Sequence, residues 1–302
     1  MMRRRQQQQQ QQEEHQQGQP SPIWRCGTFA LDASMPLHPL IMGILNVTPD
    51  SFSDGGRHDT PIAACDHART LVQQGAAIID VGGESTRPGS DEVGIDEELA
   101  RVLPVVTQLA AEGLVVSIDT RHAPVAQACV AAGAAIINDV SGFRDPAMRA
   151  VAANCDAGLV VMHMLGEPKS MQGNPFYEDV VAEVGAYLLQ QAGLLEAAGV
   201  APERICIDPG PGFGKTCEHN LALLRETRSL ASLGYPLMAA FSRKGFIGTI
   251  TGVEIPRERI AGSVAVAALA ASRGAHVLRV HDVAPTVEAL KVLAAVREGI
   301  AR

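Results

Sequence analysis

The chain of 302 residues is poor in aromatic residues, has no cysteine pair of the C-x-x-C type and carries no excess of positive charge. Aromatic residues make up 4% of the sequence and hydrophobic residues 46%, so we expect a core built mainly from Ala, Val, Leu and Ile. The formal net charge of −8 disfavours nucleic acid or an anionic membrane surface as a partner, because both require clustered positive charge. An anionic substrate would therefore need a local concentration of basic groups.

The sequence also lacks a membrane span and a dense cysteine framework. No stretch of about eighteen apolar residues occurs, which is the length that a spanning helix requires. Widely spaced cysteines in a long chain indicate reduced thiols, several of them buried, and argue against a zinc site. We therefore expect a cytoplasmic protein with no membrane partner. The cysteines are Cys26, Cys65, Cys129, Cys155, Cys206 and Cys217.

The first 22 residues differ from the rest in composition. Three arginines are followed by a glutamine tract and then by two glutamates. No apolar stretch follows the arginines, so the segment is not typical of a secretory or twin-arginine signal. We predict a disordered, low-complexity tail over 1–22 and a single domain over 23–302.

Strand and helix patterns alternate along the domain. A short hairpin is predicted between Trp24 and Pro39, covering one end of the fold. Eight strands alternating with helices favour an α/β fold, a single (β/α)8 TIM barrel, over a doubly wound sheet. The predicted strands are 40–45, 77–81, 114–118, 135–137, 158–162, 205–207, 236–241 and 276–280. The predicted helices are 62–74, 96–111, 123–132, 180–198, 220–230, 257–271 and 283–297.

Each predicted strand ends in polar or ionisable side chains. The carboxyl ends of barrel strands share one rim, where barrel enzymes carry their chemistry. A single residue such as Asp119 or Asp208 can instead be only a helix cap or a turn former. Taken together, a ring of polar groups above an apolar barrel predicts a site for a flat, polar ligand. In chain order the ring comprises Asn46, Asp80 with Glu84, Asp119, Asn138 with Asp139, His163, Asp208, Ser242 with Arg243 and Lys244, and Arg279 with His281.

Two loops carry further signals. The segment 46–56 combines turn-forming residues with one large aromatic side chain, Phe52, which a purely structural loop does not need. The segment 208–216 superficially matches a phosphate loop, but Pro209 stands where that loop requires glycine and offers no N–H to a phosphate. Its glycines are spaced G-x-G-x-G, so the dinucleotide fingerprint fails as well. We expect both loops to contact a ligand of another kind.

Basic residues at the last two strand ends predict an anion site. Arg279 and His281 lie two residues apart on a strand and therefore project to the same face. A lone arginine would more readily pair with a barrel acid, but Thr86 and Arg87 in the loop 83–89 favour a pocket for phosphate oxygens. Lys244 can be an ordinary solvated lysine, yet it ends a strand and precedes a helix whose first amides can hold a carboxylate. The role of His163 stays open between core packing and the site.

These motifs, in this order across 40–283, resemble those of dihydropteroate synthases, enzymes that join a pterin to p-aminobenzoate in folate synthesis. The resemblance implies a Mg²⁺ cofactor, a homodimer and small-molecule substrates. It also implies condensation of 6-hydroxymethyl-7,8-dihydropterin diphosphate with p-aminobenzoate through a pterin methylene cation. Pro211 stands where relatives commonly carry an aromatic residue, and Gly245 where many carry serine.

Site roles follow from the resemblance position by position. Catalysis is assigned to Arg279, His281, Lys244 and Asn46, and Asn46 is the expected metal ligand. The pterin site comprises Asp119, Asn138, Asp208, Lys244, Met162 and Arg279. The diphosphate site comprises Asn46, Thr86, Arg279 and His281. The p-aminobenzoate site comprises Phe52, Thr86, Pro88, Phe213, Ser242 and Lys244.

Three other functions were weighed. A folate-dependent methyltransferase barrel would share the acid and amide at the pterin edge but has no diphosphate for Arg279 and His281 to hold. A non-catalytic pterin-binding barrel has no need of the loop residues near Phe52 and Pro88. A phosphate-binding sugar enzyme explains Arg279 but not the acids of the ring.

Overall fold

The structure is a computed structural model in which residues 23–34, 37–48, 60–84, 93–167 and 171–299 are described. The predicted tail over 1–22 lies outside these residues. So do Phe52, Thr86 and Pro88, together with most of the two loops that carry them.

Eight parallel strands form the predicted barrel. Apolar residues dominate each strand and are buried on both faces, as expected when helices cover a parallel sheet. The strands are β3 Leu40–Asn46, β4 Ile78–Gly82, β5 Val116–Asp119, β6 Ile136–Asp139, β7 Gly158–Met162, β8 Ile205–Asp208, β9 Met238–Ala239 and β10 Val277–Val280. Each strand pairs with its neighbour in the order β8-β7-β6-β5-β4-β3-β10-β9, and a parallel bridge between Ile207 and Leu237 closes the ring. The TIM-barrel prediction is confirmed.

Helices surround the barrel between the strands. Among the described residues, no helix is both long enough and apolar enough to cross a bilayer. The described helices are α1 Thr60–Gln73, α2 Ile95–Ala111, α3 Ala123–Ala131, α4 Pro146–Ala153, α5 Val180–Ala197, α6 Cys217–Arg225, α7 Thr227–Ala231, α8 Gly245–Thr251, α9 Ile260–Ser272 and α10 Val283–Glu298.

Two helices differ from the sequence predictions. Helix α4 was not predicted, although Asp145 caps it by accepting a hydrogen bond from the Ala147 backbone N–H. The single helix predicted over 220–230 was wrong, because the chain forms α6 and α7 there. The Thr227 hydroxyl donates to the Leu224 carbonyl at 2.8 Å, a local bond of the kind that bends helices.

An antiparallel hairpin closes the amino end of the barrel. It consists of β1 Ile23–Cys26 and β2 Phe29–Asp32, as predicted. Trp24 is fully buried against the first residues of the barrel strands, and its indole N–H donates to the Arg204 carbonyl at 2.9 Å. This apolar plug at the amino end leaves the polar carboxyl end of the barrel as the accessible mouth.

Candidate active site

A single cavity of about 1720 Å³ opens at the carboxyl end of the barrel. Its walls come from the strand ends that the sequence analysis singled out, and they include every predicted site residue that the structure describes. Asp208, Asn138 and Arg279 thus share one space instead of opening onto separate surfaces. The predicted residues in its lining are Asn46, Asp119, Asn138, Met162, Asp208, Phe213, Ser242, Lys244, Arg279 and His281.

Arg279 is held by two acids inside this cavity. Its Nε donates to Asp80 Oδ2 at 2.6 Å and its Nη2 donates to Asp119 Oδ2 at 2.5 Å. The salt bridge to a barrel acid, weighed as an alternative from the sequence, is therefore present, and the same guanidinium still lines the cavity. Its Nη1 makes no hydrogen bond to the described residues, so it remains available to an anion.

Asp80 connects the Asn138 amide to this arginine. Its Oδ2 also accepts a hydrogen bond of 3.1 Å from Asn138 Nδ2, and the side chain is fully buried. Asp80 belongs to the predicted polar ring, but no role follows for it from the sequence alone. Because Asp80 occupies one amide N–H of Asn138, it orients the amide and leaves the carbonyl oxygen for other partners. Asp80 is thus a functional residue that was missed, although its position at a strand end was a usable signal.

Burial raises the pKa of two carboxyl groups in the cavity, those of Asp119 and Asp208. Desolvation raises the pKa of Asp119 to about 7, even though Arg279 opposes the shift. Desolvation likewise raises the pKa of Asp208 to about 6, opposed by the Gly210 backbone N–H, which donates to Asp208 Oδ1 at 2.8 Å. Asp119 Oδ1 is buried and has no hydrogen-bond partner within the described part of the chain. Since an unmet buried acceptor costs about 1–3 kcal/mol, a ligand N–H at Asp119 would be favoured.

The loop after β8 passes so close to the backbone of His163 that only glycine fits at position 210. Gly210 has a φ of 62°, and a Cβ there would lie 1.9 Å from the His163 carbonyl oxygen. Phe213 follows, with Lys244 Nζ 4.2 Å from its ring centroid. The loop thus presents an aromatic ring and a cation to the cavity, in place of a row of phosphate-binding amides.

The last two strand ends are joined by side chains. Ser242 Oγ lies 3.0 Å from His281 Nδ1, and the Arg243 guanidinium binds Asp282 through two hydrogen bonds of 2.9 and 2.6 Å. Arg243 has a φ of 59°, a left-handed conformation that is costly for a residue with a side chain and that the surrounding bonds stabilise. Ser242, Lys244 and His281 therefore belong to one connected unit.

Two members of the predicted ring have other roles. Asp139 is buried below the rim and accepts from the Ser141 and Phe143 backbone N–H groups, so it shapes a turn. His163 is buried outside the cavity lining, where its Nδ1 lies 2.9 Å from Lys215 Nζ. Of the two roles left open for His163 by the sequence, core packing or the site, the structure supports core packing behind the cavity. Lys215 is a second polar residue that the sequence analysis missed.

A cluster of ion pairs lies beside the cavity. Arg121 Nε and Nη2 donate to the Glu84 carboxylate at 3.2 and 3.1 Å, and His122 Nδ1 lies 2.7 Å from Glu98 Oε2. Ligand atoms of Glu84, Glu98 and His122 lie within 4.8 Å of one another. Arg121 pairs with Glu84 and His122 contacts Glu98, so each of these two acids has a basic partner in the cluster.

Asn46 fits the metal-ligand position implied by the sequence. It ends β3, is half-buried at the cavity wall and makes no side-chain hydrogen bond to the described residues. Its amide oxygen is the hard donor that Mg²⁺ prefers, and Mg²⁺ commonly takes one or two protein oxygens together with water and substrate phosphates. A single amide at this position therefore suffices if a diphosphate supplies the other oxygens.

Comparison with known proteins shows similarities that extend over most of the chain. The family described as "Pterin binding enzyme" matches residues 42–281. A dihydropteroate synthase from Escherichia coli (strain K12) is 48% identical over 269 residues, which cover 88% of this chain and 95% of the relative. The structure of Xanthomonas albilineans dihydropteroate synthase with 4-aminobenzoic acid superposes with a TM-score of 0.86 at 47% identity, covering 93% of this chain and 100% of that one. Burkholderia cenocepacia dihydropteroate synthase complexed with 7,8-dihydropteroate gives a TM-score of 0.83 at 45% identity, covering 92% and 97% of the two chains.

Proposed function

Since this chain belongs to the pterin-binding enzyme family, we propose that it acts as a dihydropteroate synthase. It condenses 6-hydroxymethyl-7,8-dihydropterin diphosphate with p-aminobenzoate, and the products are 7,8-dihydropteroate and diphosphate. The observation that carries this proposal is the shared cavity in which Asp119, Asn138 and Asp208 lie together with Arg279. Acids and an amide suit the N–H-rich edges of a pterin, and the arginine suits its leaving group.

The pterin ring is held by hydrogen bonds at its edges and apolar contact on its faces. Asp208 accepts hydrogen bonds from the amino-pyrimidinone edge, and Asn138 contacts the same edge with an amide that Asp80 orients. Asp119 accepts from an N–H of the other ring, which supplies the partner that its buried Oδ1 lacks among the described residues. Met162 belongs to an apolar cluster at the cavity wall and packs on the ring face. Lys244 donates to the ring carbonyl.

The leaving diphosphate is stabilised by positive charge. Cleavage of the C–O bond leaves a methylene cation conjugated with the pterin ring, and negative charge accumulates on the diphosphate oxygens. Arg279, through its available Nη1, and His281 bind those oxygens, and such preorganised charge lowers the barrier by several kcal/mol. When Mg²⁺ is bound, it neutralises part of the diphosphate charge, with Asn46 as its protein ligand. Thr86, outside the described residues, is assigned to the same oxygens.

The arylamine binds beside the pterin. Phe213, the Lys244 stem and Ser242 form its slot, and Phe52, Thr86 and Pro88 from the two loops outside the described residues complete it. The amine of p-aminobenzoate is neutral at neutral pH, so it attacks the methylene carbon without a strong general base. Its excess proton leaves after the C–N bond has formed.

The assembly and location are part of the proposal. Exposed apolar side chains on the barrel helices, such as Leu269, Val292 and Val296, support a homodimer. All six cysteines are free thiols, which supports a cytoplasmic location. The net charge of −8 supports the absence of a nucleic-acid partner.

One assay tests the function. Purified protein is mixed with the pterin diphosphate, p-aminobenzoate and Mg²⁺, and released diphosphate is measured. We expect turnover that nearly ceases when Mg²⁺ is omitted, and a pterin adduct when a sulfonamide replaces p-aminobenzoate. Absence of diphosphate release under all of these conditions would rule the proposal out.

A further inference from the structure

Lys215 is a buried, charged residue that has no role in the proposed mechanism. It lies in the loop between β8 and α6, and it is 3% exposed. Lys215 borders the cavity, but its Nζ contacts protein atoms. Lysine is almost never buried to this extent unless its charge is paired.

The surroundings of Lys215 Nζ match an ammonium ion. Nζ lies 2.9 Å from His163 Nδ1, 3.0 Å from the Phe213 carbonyl oxygen and 3.4 Å from the His163 carbonyl oxygen. An ammonium group has three N–H donors and no acceptor, so these three acceptors use all of them. A neutral amine would direct its lone pair at one of these acceptors.

His163 is suited to accept this bond. Burial, assisted by the charge of Lys215, lowers the pKa of His163 to about 3, so the ring is neutral at physiological pH. Its Nδ1 then accepts from Lys215 and its proton resides on Nε2. The ring packs edge-on against Tyr187, with centroids 4.8 Å apart, which holds the acceptor in place.

The same contacts join two neighbouring strand ends. His163 follows Met162 at the end of β7, and Phe213 belongs to the loop after β8. The His163 backbone N–H donates to the Asp208 carbonyl at 3.0 Å, which continues the connection to the pterin-site acid. Lys215 therefore fixes Met162 and Phe213, two walls of the cavity, relative to Asp208.

The charge of Lys215 acts on Asp208 in the pH range where that acid titrates. The positive groups that lower the pKa of Asp208 are Lys244, Arg279 and Lys215, while burial raises it to about 6. Burial lowers the pKa of Lys215 to about 7, and Asp208 opposes that shift. At the pH where Asp208 would take up a proton, Lys215 is thus already an ammonium ion. The thiol of Cys206 is another titratable neighbour of Asp208, and burial raises its pKa well above this range.

We propose that Lys215 is a positioning residue whose buried ammonium group joins the ends of β7 and β8 and keeps the Asp208 carboxylate ionised for the pterin ring. This inference rests on the proposed function, because it assigns the pterin to Asp208. It adds a residue at the cavity wall whose buried ammonium group needs no contact with either substrate.

The test is the pH dependence of kcat/KM for the pterin diphosphate in Lys215→Met, which keeps the chain length and removes the charge. We expect the acid limb to move to higher pH, because the pKa of Asp208 rises when a neighbouring positive charge is lost. Lys291→Met, at an exposed position on α10, is the matched control and should keep the wild-type profile. An unmoved acid limb in Lys215→Met, even with uniformly lower activity, would overturn the proposal.

Two further measurements separate charge from shape and from folding. Lys215→Arg keeps the charge and should retain the wild-type limb; a limb displaced as far as in Lys215→Met would count against the proposal. If Lys215→Met does not fold, the ¹⁵Nζ resonance of Lys215 in the wild-type protein decides, because an ammonium signal is expected at pH 6 and a neutral amine there would refute it. Failure of the proposed function would appear differently, as a wild-type protein without turnover at any pH.

Discussion

The Ser242 hydroxyl oxygen makes two contacts with His281 at the mouth of the barrel. Ser242 Oγ accepts a hydrogen bond of 3.2 Å from the His281 backbone N–H and lies 3.0 Å from His281 Nδ1. The two residues follow neighbouring strands, β9 and β10, so the hydroxyl fixes the imidazole relative to the segment that carries Lys244. The groups assigned to the arylamine and to the diphosphate are therefore not independent.

Ser242→Ala should disturb both halves of the reaction. The substitution removes the bonds to His281 without adding volume, so we expect kcat/KM for the pterin diphosphate to fall about tenfold, equivalent to about 1.4 kcal/mol. Steady-state kinetics with each substrate varied will measure it. Ser229→Ala, at an exposed position on α7, is the control. Kinetics equal to those of the control would contradict a role for the shared oxygen.

Arg279→Ala and Asp208→Asn should fail in different ways. Loss of Arg279 removes a cation that we propose binds the diphosphate, so we expect diphosphate release in a single turnover to slow about 100-fold. Asp208→Asn replaces an acceptor with a partial donor at the pterin edge, so it should chiefly abolish pterin binding. Rapid-quench measurements report the first effect and titration with the pterin diphosphate reports the second. Unchanged turnover in both variants would refute the assignment.

Gly245→Ser should strengthen p-aminobenzoate binding. Gly245 lines the cavity at the start of α8, and a Cβ added there would meet no atom of the described residues within 4 Å. A hydroxyl at this position can donate to the substrate carboxylate, so we expect KM for p-aminobenzoate to fall roughly threefold to tenfold. Gly245→Ala introduces the Cβ without the hydroxyl and serves as the control. Equal KM values for the two variants would show that the carboxylate lies elsewhere.

His276 should make the protein less stable in acid. Burial lowers the pKa of His276 to about 4, and its Nδ1 accepts from the Leu237 backbone N–H at 3.0 Å. The folded pKa lies below the unfolded value of about 6.5, so this contribution is complete above pH 6.5 and is lost as pH falls towards 4.

The free energy of unfolding of His276→Gln should therefore decline less between pH 6.5 and pH 5 than that of the wild type, by about 2 kcal/mol. Glutamine retains an acceptor for the Leu237 N–H and does not titrate. Urea denaturation at both pH values measures the difference, and His38→Gln at the surface is the control. Parallel declines in wild type and His276→Gln would show that His276 does not titrate on unfolding.

The barrel and most of its site were predictable because their signals are local. Each strand is a short apolar run, and the polar residue that follows it falls on a rim that all parallel strands share. Helix α4 was missed because it is only eight residues long and so offers a short window for a periodic pattern, although the Asp145 cap and the following proline were visible. Asp139 was predicted to belong to the polar ring because it ends a strand, but its carboxylate accepts backbone hydrogen bonds in the turn after β6.

The partnerships within the rim required the tertiary structure. Asp80 and Arg279 are 199 residues apart in sequence, and Lys215 and His163 are 52 apart, so no local pattern indicates that they meet. The sequence favoured an anion pocket for Arg279 over a salt bridge, and the structure shows that its guanidinium forms salt bridges with Asp80 and Asp119 while it also lines the cavity.

The amino-acid sequence by itself determined the alternation of strands and helices, the polar ring and its chemical character, since these depend on composition and on spacing along the chain. Only the tertiary structure decided which acid pairs with which base, which polar residues lie behind the cavity and which form turns. The reason is that hydrogen bonds and ion pairs act over a few ångströms in space, and closure of the barrel brings together residues that the chain keeps far apart.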